Sequence, residues 1–174
     1  MHNINYKIIA VEKKELWSLA EVKNYLRVSH NNDDKLITNL IDAAIVYAEQ
    51  FLGIKFFIRK ICCLVVKVPN FLKLKYKPIV INKVYHLISN KEKKDITKEF
   101  GYMDCDRQKI YIVQEYWYKN LEINYEAGLG DKIPKSVLQG VLMHIGMMYD
   151  FGENSGNILS EIKEIYLPYR SLKI

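Results

Sequence analysis

Histidine, cysteine and acidic side chains are the residues of this chain that could hold a metal ion or transfer a proton. The four histidines lie at positions 2, 30, 86 and 144, and none has another histidine or a cysteine at metal-ligand spacing. The three cysteines, Cys62, Cys63 and Cys105, are odd in number and form no Cys-x-x-Cys pair, which argues against a disulfide framework. For His144, in an apolar stretch, a hydrogen-bonded core or interface role is commoner than a ligand role. We therefore expect no metal and no cofactor.

Two short segments resemble binding loops, but each lacks residues that the chemistry requires. Asn31–Asp34 lacks the spaced acids, central glycine and closing glutamate of a calcium loop, and helix capping explains it better. Gly128–Asp131 lacks the lysine and hydroxyl residue of a phosphate-binding loop, so a strand-to-helix turn with positive φ is the better account. No paired carboxylates or activated nucleophile stand out, and we expect no enzyme activity.

The composition is that of an ordinary globular protein. At 174 residues, with 49% apolar and 26% charged side chains, the chain is expected to form one domain with a sizeable core. The longest apolar run, at 137–149, is interrupted by polar residues and glycines and is too short to span a bilayer. We therefore expect no membrane association.

The formal net charge of +6 is concentrated in the middle third of the chain. Residues 59–120 hold fourteen basic and six acidic side chains, a surplus of eight, and the flanking thirds are close to neutral. A basic surface attracts nucleic acid irrespective of its sequence. Lysines also protect sheet edges against mispairing, and the sequence leaves both interpretations open.

The stretch that ends at Gly53 predicts a pair of helices with marked ends. Ser18 and Glu21 have the spacing of a capping box, in which each side chain bonds the backbone N–H of the other residue. After a four-residue polar break, Asp33 or Asp34 can cap a second helix, which Gly53 ends as a left-handed residue. That helix carries a broad apolar stripe: Leu36, Ile37, Leu40, Ile41, Ala43, Ala44, Tyr47, Ala48 and Phe51.

Extended structure is predicted after the helix pair. Ile61–Val68 is apolar and β-branched, the residues from Phe71 to Tyr76 alternate, and Pro69-Asn70 between them is a plausible turn. Further strands are expected at 79–88, 99–103, 109–113 and 121–125. Because no helix separates these strands, we expect a small antiparallel sheet of hairpins.

Helical order returns at Pro134, a residue suited to the first turn of a helix. The helix predicted over 134–151 is apolar nearly all round, which is typical of burial on more than one side. Some of that burial could come from neighbouring subunits. The tail is expected to be a short amphipathic turn that runs into an extended end.

Two blocks of the sequence, taken in order and spacing, resemble one protein family. The first consists of Leu19–Val28, Asp33-Asp34, Leu36-Ile37, Leu40-Ile41, Ala43-Ala44, Glu49 and Gly53. The second consists of Ile123–Asp131, Ile133-Pro134 and the apolar helix that ends in Tyr149-Asp150, and between the blocks Pro78, Val84 and Tyr85 also fit. Together, over roughly residues 16–170, they are similar to the head–tail connector (adaptor) proteins of tailed bacteriophages and gene transfer agents.

The resemblance implies an α+β fold in one connector domain, 1–174. The expected parts are a small helical bundle, an inserted antiparallel β region and a C-terminal arm. Their bounds are 16–53 for the helix pair, 60–126 for the β insert, 134–151 for the core helix and 158–174 for the arm.

The resemblance also implies a structural role in a virion or phage-like particle, assembled in the bacterial cytoplasm. Such proteins form a ring, usually of twelve subunits, beneath the portal. The implied partners are further copies of the chain, the portal protein, the next ring of the neck or tail (a stopper or terminator) and, non-specifically, the DNA that passes through the channel.

Three groups of residues are candidates for these contacts. By position in the family, the arm reaches onto the portal, and aromatic and arginine residues favour a buried docking patch; its candidates are Tyr166, Leu167, Pro168, Tyr169 and Arg170. The candidates for subunit interfaces are Tyr47, Phe51, Leu142, Met143 and Met147. The candidates for the DNA channel are Lys91, Lys93 and Lys94.

The alternative is a DNA-binding module in which the helix pair acts as a helix-turn-helix. The joining segment has a suitable length. Asp33 and Asp34, however, stand at the start of the would-be recognition helix, where they would face phosphates.

Overall fold

The computed structural model describes residues 3–76, 78–89, 91–104, 109–151 and 160–170, and these form a mixed helix and sheet, α+β protein. The helices are α1 (Leu19–Leu26), α2 (Asp34–Leu52), α3 (Lys135–Phe151) and α4 (Ser160–Tyr166). The strands are β1 (Asn3–Glu12), β2 (Ile58–Val66), β3 (Phe71–Lys73), β4 (Pro78–Leu87), β5 (Lys93–Asp95), β6 (Gly101–Met103), β7 (Lys109–Ile112) and β8 (Leu121–Ala127). The α+β expectation is confirmed at this level.

The chain divides into two compact units. The β unit comprises Met1–Lys13 and Phe57–Gly128, and the helical unit comprises Lys14–Phe56 and Leu129–Ile174. The β insert expected at 60–126 corresponds to most of the β unit. The N-terminal strand β1 belongs to the same unit, and the sequence reasoning assigned it no element.

Antiparallel pairing organises the β unit into two sheets. One has the order β1-β2-β8-β4-β5 and the other has the order β3-β7-β6. The central strand β8 alternates buried and half-buried residues, as expected for a strand with one face in the core. Its buried side chains pack with those of neighbouring strands into one apolar cluster that includes Ile61, Cys63, Val84, Ile110, Leu121 and Ile123.

The expected hairpin between the strands on either side of Pro69-Asn70 is absent. β2 pairs with β1 and β8, and β3 joins the second sheet instead. The local cause is a crossing at Val68, where the backbone pairs with residues 118–119 and not with β3. The Val68 N–H donates to the Lys119 carbonyl at 2.9 Å, and the Val68 carbonyl accepts from Tyr118 N–H at 2.8 Å. Lys67 and Tyr118 both have positive φ, 53° and 61°, which turns the backbone away from a simple reversal.

The predicted positive-φ turn at Gly128–Asp131 is confirmed. Gly128 has φ 135° and Gly130 has φ 55°. A Cβ atom on Gly128 would lie 2.3 Å from the Phe57 carbonyl oxygen. Only glycine allows both this close approach of two backbone segments and the unusual dihedral angle.

The helical unit begins with the predicted capping box. Ser18 N–H donates to a Glu21 carboxylate oxygen at 2.7 Å, and Glu21 N–H donates to the Ser18 hydroxyl at 3.3 Å. Gly53, with φ 71°, ends α2 as expected. α2 packs against α3, α1 packs against both, and α4 packs against α2 and α3.

The start of α2 differs from the expectation of a side-chain cap. Asp33 occupies the cap position but makes no cap hydrogen bond with its side chain. Its carboxylate instead accepts from the Tyr149 hydroxyl at 2.6 Å, and that hydrogen bond raises the pKa of Tyr149. Asp34 accepts from the Lys23 ammonium at 2.6 Å. Both acids therefore tie α2 to neighbouring helices.

A buried carboxylate on α2 binds residues 55–56, and these in turn bind residues 129–130. Glu49 is 4% exposed; its Oε1 accepts from Phe56 N–H at 2.7 Å and its Oε2 accepts from the Lys55 ammonium at 2.8 Å. The carbonyls of the same two residues accept from Leu129 N–H and Gly130 N–H, each at 2.8 Å. Residues 55–56 and 129–130 are thus fastened to each other and to α2.

Replacing Glu49 with alanine should therefore destabilise the protein. The substitution leaves the buried Phe56 N–H without its acceptor, which costs roughly 1–3 kcal/mol of unfolding free energy. Gln50→Ala, at the next and exposed position of α2, is the control and should change the unfolding free energy by less than about 0.5 kcal/mol. Urea unfolding measures both, and equal midpoints for the two variants would contradict the assigned role of Glu49.

Candidate functional site

The C-terminal segment, residues 160–170, folds against α2 and α3 within the helical unit. Tyr166 is fully buried, and its ring lies so close to α3 that a Cβ on Gly140 would be 2.6 Å from Tyr166 Cε1. The Tyr166 ring also packs against Phe51, with centroids 5.9 Å apart, and the Arg170 guanidinium lies 5.1 Å from the Phe51 ring centre. The lack of a side chain at Gly140 therefore allows this segment to pack against α3.

The five portal-docking candidates do not share one environment. Tyr166 is part of the core of the helical unit, whereas the four residues after it are exposed. Leu167 is 53% exposed and Tyr169 is 40% exposed. Tyr169 is held in place because its hydroxyl accepts from the Ser136 hydroxyl at 2.9 Å. The exposed part of the segment is thus Leu167–Arg170.

The five subunit-interface candidates are also divided. Met147 is buried, and the other four are half-buried. Phe51 is covered by Tyr166 and Arg170, as described above, and Tyr47 meets His144 edge-on with ring centres 5.1 Å apart. Two others, Met143 and Met147, line an open groove of about 440 Å³ together with Tyr25, Leu26, Arg27, Gly146, Asp150 and Ile162.

His144 is a core residue. It is 3% exposed, and burial lowers its pKa, so the ring is held neutral. Its Nδ1 atom has no hydrogen-bond partner among the residues that the structure describes, so the expectation of a fully hydrogen-bonded histidine is not met at that atom. Within the same described ranges, no three His, Cys, Asp or Glu side chains are grouped to hold a metal ion.

Part of the apolar surface of α2 is exposed to solvent: Leu36 and Ala43 were predicted on its apolar stripe, but their exposure was not predicted, and Val46 was not named. Leu36 and Val46 are 48% and 51% exposed, and Ala43 lies exposed between them. Their spacing of seven and three residues places them along one line of the helix. The sequence did contain evidence for this exposure, because nine apolar positions on one helix are more than a single buried face needs. We call Leu36, Ala43 and Val46 the α2 stripe.

The channel-lysine candidates lie in the β unit, and two of the three have ion-pair partners. Lys93 reaches Glu122 at 3.4 Å and lies 4.2 Å from the Tyr85 ring centre, and Lys94 reaches Glu99 at 3.2 Å. The hydrogen bond from the Tyr116 hydroxyl is the main reason why the pKa of Glu99 lies below its usual value, and Lys94 lowers it further. Lys91 is exposed. This region therefore carries mixed charge.

None of the helices in the described ranges is long and apolar enough to cross a membrane. The acids at the start of α2 are engaged with Tyr149 and Lys23, and Lys35 is the single basic residue among the exposed positions of that helix. No observation therefore favours the helix-turn-helix alternative, because a recognition helix needs polar and basic side chains toward DNA.

Comparison with known proteins assigns the family. Residues 17–103 match the model of the phage gp6-like head–tail connector proteins, which is half of the chain. The chain belongs to this family. It is accordingly a structural connector of a virion or phage-like particle and not an enzyme. No curated protein matches the chain.

The fold is that of solved neck proteins. A chain of the neck of an empty gene transfer agent particle, computed with C6 symmetry, is 11% identical with a TM-score of 0.74; the match covers 98% of this chain and 97% of that one. A chain of a native gene transfer agent virion is 13% identical with a TM-score of 0.75, over 97% and 96%. A third chain, from a native neck computed with C12 symmetry, is 12% identical with a TM-score of 0.61, over 95% and 97%.

Substitutions at Tyr166 should distinguish the contribution of its ring to stability from that of its hydroxyl. The buried hydroxyl has no hydrogen-bond partner among the described residues, so Tyr166→Phe should leave the unfolding free energy unchanged or raise it. Tyr166→Ala removes a buried ring and should lower it by about 3–5 kcal/mol. Thermal and urea unfolding provide the test. A Tyr166→Phe variant as unstable as Tyr166→Ala would show that the hydroxyl, and not the packing, seats the segment.

Proposed function

We propose that this protein forms a ring of twelve copies in the neck of a phage or phage-like particle, between the portal and the next neck or tail ring. The observation that carries the proposal is the family match together with a fold shared, over nearly the whole chain, with neck proteins. Those necks were computed with C6 and C12 symmetry. Twelve copies are compatible with both, because a twelvefold ring contains a sixfold axis.

The helical unit is proposed as the bundle that forms the body of the ring. A closed ring needs heterologous contacts, in which one face of a subunit meets a different face of the next. The α2 stripe supports such a face, since three apolar positions on one helix are exposed to solvent in the isolated chain. Leu142 and Met143, which are half-buried, are proposed for the opposing face.

The C-terminal segment is proposed to bind the portal through Leu167–Arg170. Tyr166 then acts as the anchor that holds the segment against α3, and the exposed residues beyond it supply the docking surface. Leu167 is the strongest candidate because it is 53% exposed, against 40% for Tyr169.

Contact with passing DNA is proposed for Lys91, with Lys93 and Lys94 in a weaker role. Attraction of phosphates by exposed lysines does not depend on sequence and weakens with salt. The partners of Lys93 and Lys94, Glu122 and Glu99, reduce the charge they offer. A weak attraction suits a channel through which DNA must slide.

Val46→Asp should prevent ring closure while leaving the subunit folded. The side chain is 51% exposed, so the subunit tolerates a charge that a packed interface would exclude. Val113→Asp, at an exposed valine of the β unit, is the matched control. Electron microscopy of assembled particles should show necks with Val113→Asp and not with Val46→Asp. Normal necks with Val46→Asp would remove the α2 stripe from the interface.

Leu167→Asp should abolish attachment to the portal without affecting the fold. The control is Glu164→Ala, an exposed position of the same segment. Co-sedimentation with the portal ring of the same particle measures attachment, and circular dichroism confirms folding. Equal attachment of both variants and the unaltered protein would refute the docking role of this segment.

A further inference from the structure

Three aromatic side chains form a row across the outer face of the three-stranded sheet. Phe71 on β3 lies directly opposite Tyr111 on β7, and Tyr111 lies directly opposite Tyr102 on β6. Residues in direct cross-strand register share a face of the sheet. The neighbours of Tyr111 along β7, Ile110 and Ile112, are buried in the core. The aromatic row of Phe71, Tyr111 and Tyr102 therefore occupies the face that the core does not use.

The row ends in a stacked pair with one open side. The rings of Tyr102 and Tyr111 lie 5.0 Å apart at an interplanar angle of 17°, whereas those of Phe71 and Tyr111 are 6.4 Å apart and tilted by 46°. β6 is the outermost strand of this sheet as described, and Tyr102 is 64% exposed. One face of the Tyr102 ring is thus covered by Tyr111, and the stack can accept one more planar group.

Positive charge lies beside the row. Lys109 and Lys73 face each other across β7 and β3, and the Lys109 ammonium lies 5.6 Å from the Phe71 ring centre. Residues two apart on a strand share a face of the sheet, so both lysines lie on the face that carries the aromatic row. The acidic neighbour Asp104 accepts a hydrogen bond from Lys109 N–H at 3.1 Å.

We propose that this face binds unpaired nucleotides, with a base stacked on Tyr102 and the adjoining phosphates drawn to Lys109 and Lys73. A nucleotide combines a planar ring with a negative charge, and the aromatic row and the two lysines offer a contact for each. Aromatic side chains next to basic ones on a sheet are the general means by which proteins hold single strands without reading sequence. The site goes beyond the proposed neck role, because it is specific for single strands or frayed duplex ends.

A protein partner is the competing occupant, and base chemistry distinguishes the two. Binding of the whole protein to a fluorescent single-stranded oligothymidylate is measured by anisotropy and compared with an abasic oligomer of the same length and charge. Stacking predicts that the abasic oligomer binds more weakly, by roughly tenfold for each stacked base. Equal binding of the two oligomers, or no binding of oligothymidylate, would overturn the proposal.

Substitutions at Tyr102 locate the site. Tyr102→Leu keeps an apolar, strand-compatible side chain without an aromatic face and should weaken oligothymidylate binding by roughly tenfold. Tyr102→Phe should bind as the unaltered protein does, and so should Tyr118→Ala, which removes a 72% exposed tyrosine outside the row. An equal effect of Tyr102→Leu and Tyr118→Ala would overturn the assignment. The proposal would also be overturned if a Tyr102→Leu variant bound the oligonucleotide normally but no longer bound a neck protein.

Charge reversal at the channel candidates provides a separate readout. Lys91→Glu, Lys93→Glu and Lys94→Glu combined should weaken binding of blunt duplex DNA and leave the difference between oligothymidylate and the abasic oligomer unchanged. Loss of that difference would show that the aromatic row does not act alone and would overturn the proposal. Unchanged duplex binding would remove only the channel role of these lysines.

Discussion

A single buried carboxylate constrains the backbone of the helical unit. Glu49 fixes Lys55 and Phe56, the third and fourth residues after α2, and their carbonyls in turn fix the two residues that follow Gly128. A carboxylate removed from water is unfavourable unless hydrogen bonds replace its hydration, so few other conformations of residues 55–56 satisfy Glu49. Within the helical unit, residues 129–130, which lie shortly before α3, are thereby held beside residues 55–56, which lie shortly after α2.

Packing within each unit decides which side chains remain for assembly. Gly140 lets the Tyr166 ring approach α3, which buries Tyr166 and half-buries Phe51 and leaves Leu167 outside. On α2 the apolar positions exceed the buried face, so Leu36 and Val46 are left in solvent. In the β unit, several lysines pair with acids, and the positive surplus of the middle third does not form an uninterrupted basic surface. Function in a connector resides in such residual surfaces.

Local features were predictable because their causes lie within a few residues. The capping box of Ser18 and Glu21, the ends of α2 and the turn at Gly128 follow from dihedral preferences and neighbouring hydrogen bonds. Strand pairing was not predictable in this way. The crossing at Val68 depends on Lys119, about fifty residues away in the chain, and it sends β3 to a different sheet from β2. β1 was missed although Ile4, Tyr6 and Ile8 alternate with polar residues, which is the pattern of a half-buried strand.

The sequence by itself determined the class of the protein: α+β, a head–tail connector, without a visible catalytic constellation. The order and spacing of capping residues, glycines and apolar positions were enough for the resemblance to the connector family, and that resemblance implied the class. Only the tertiary structure decided the roles of individual residues. In the structure, Tyr166 lies in the core and not on a docking surface, and the α2 stripe is exposed. Lys93 and Lys94 are paired with glutamates, and Phe71, Tyr111 and Tyr102 are aligned. Each outcome depends on which distant segments come into contact, and exposure is a property of those contacts and not of the residue type.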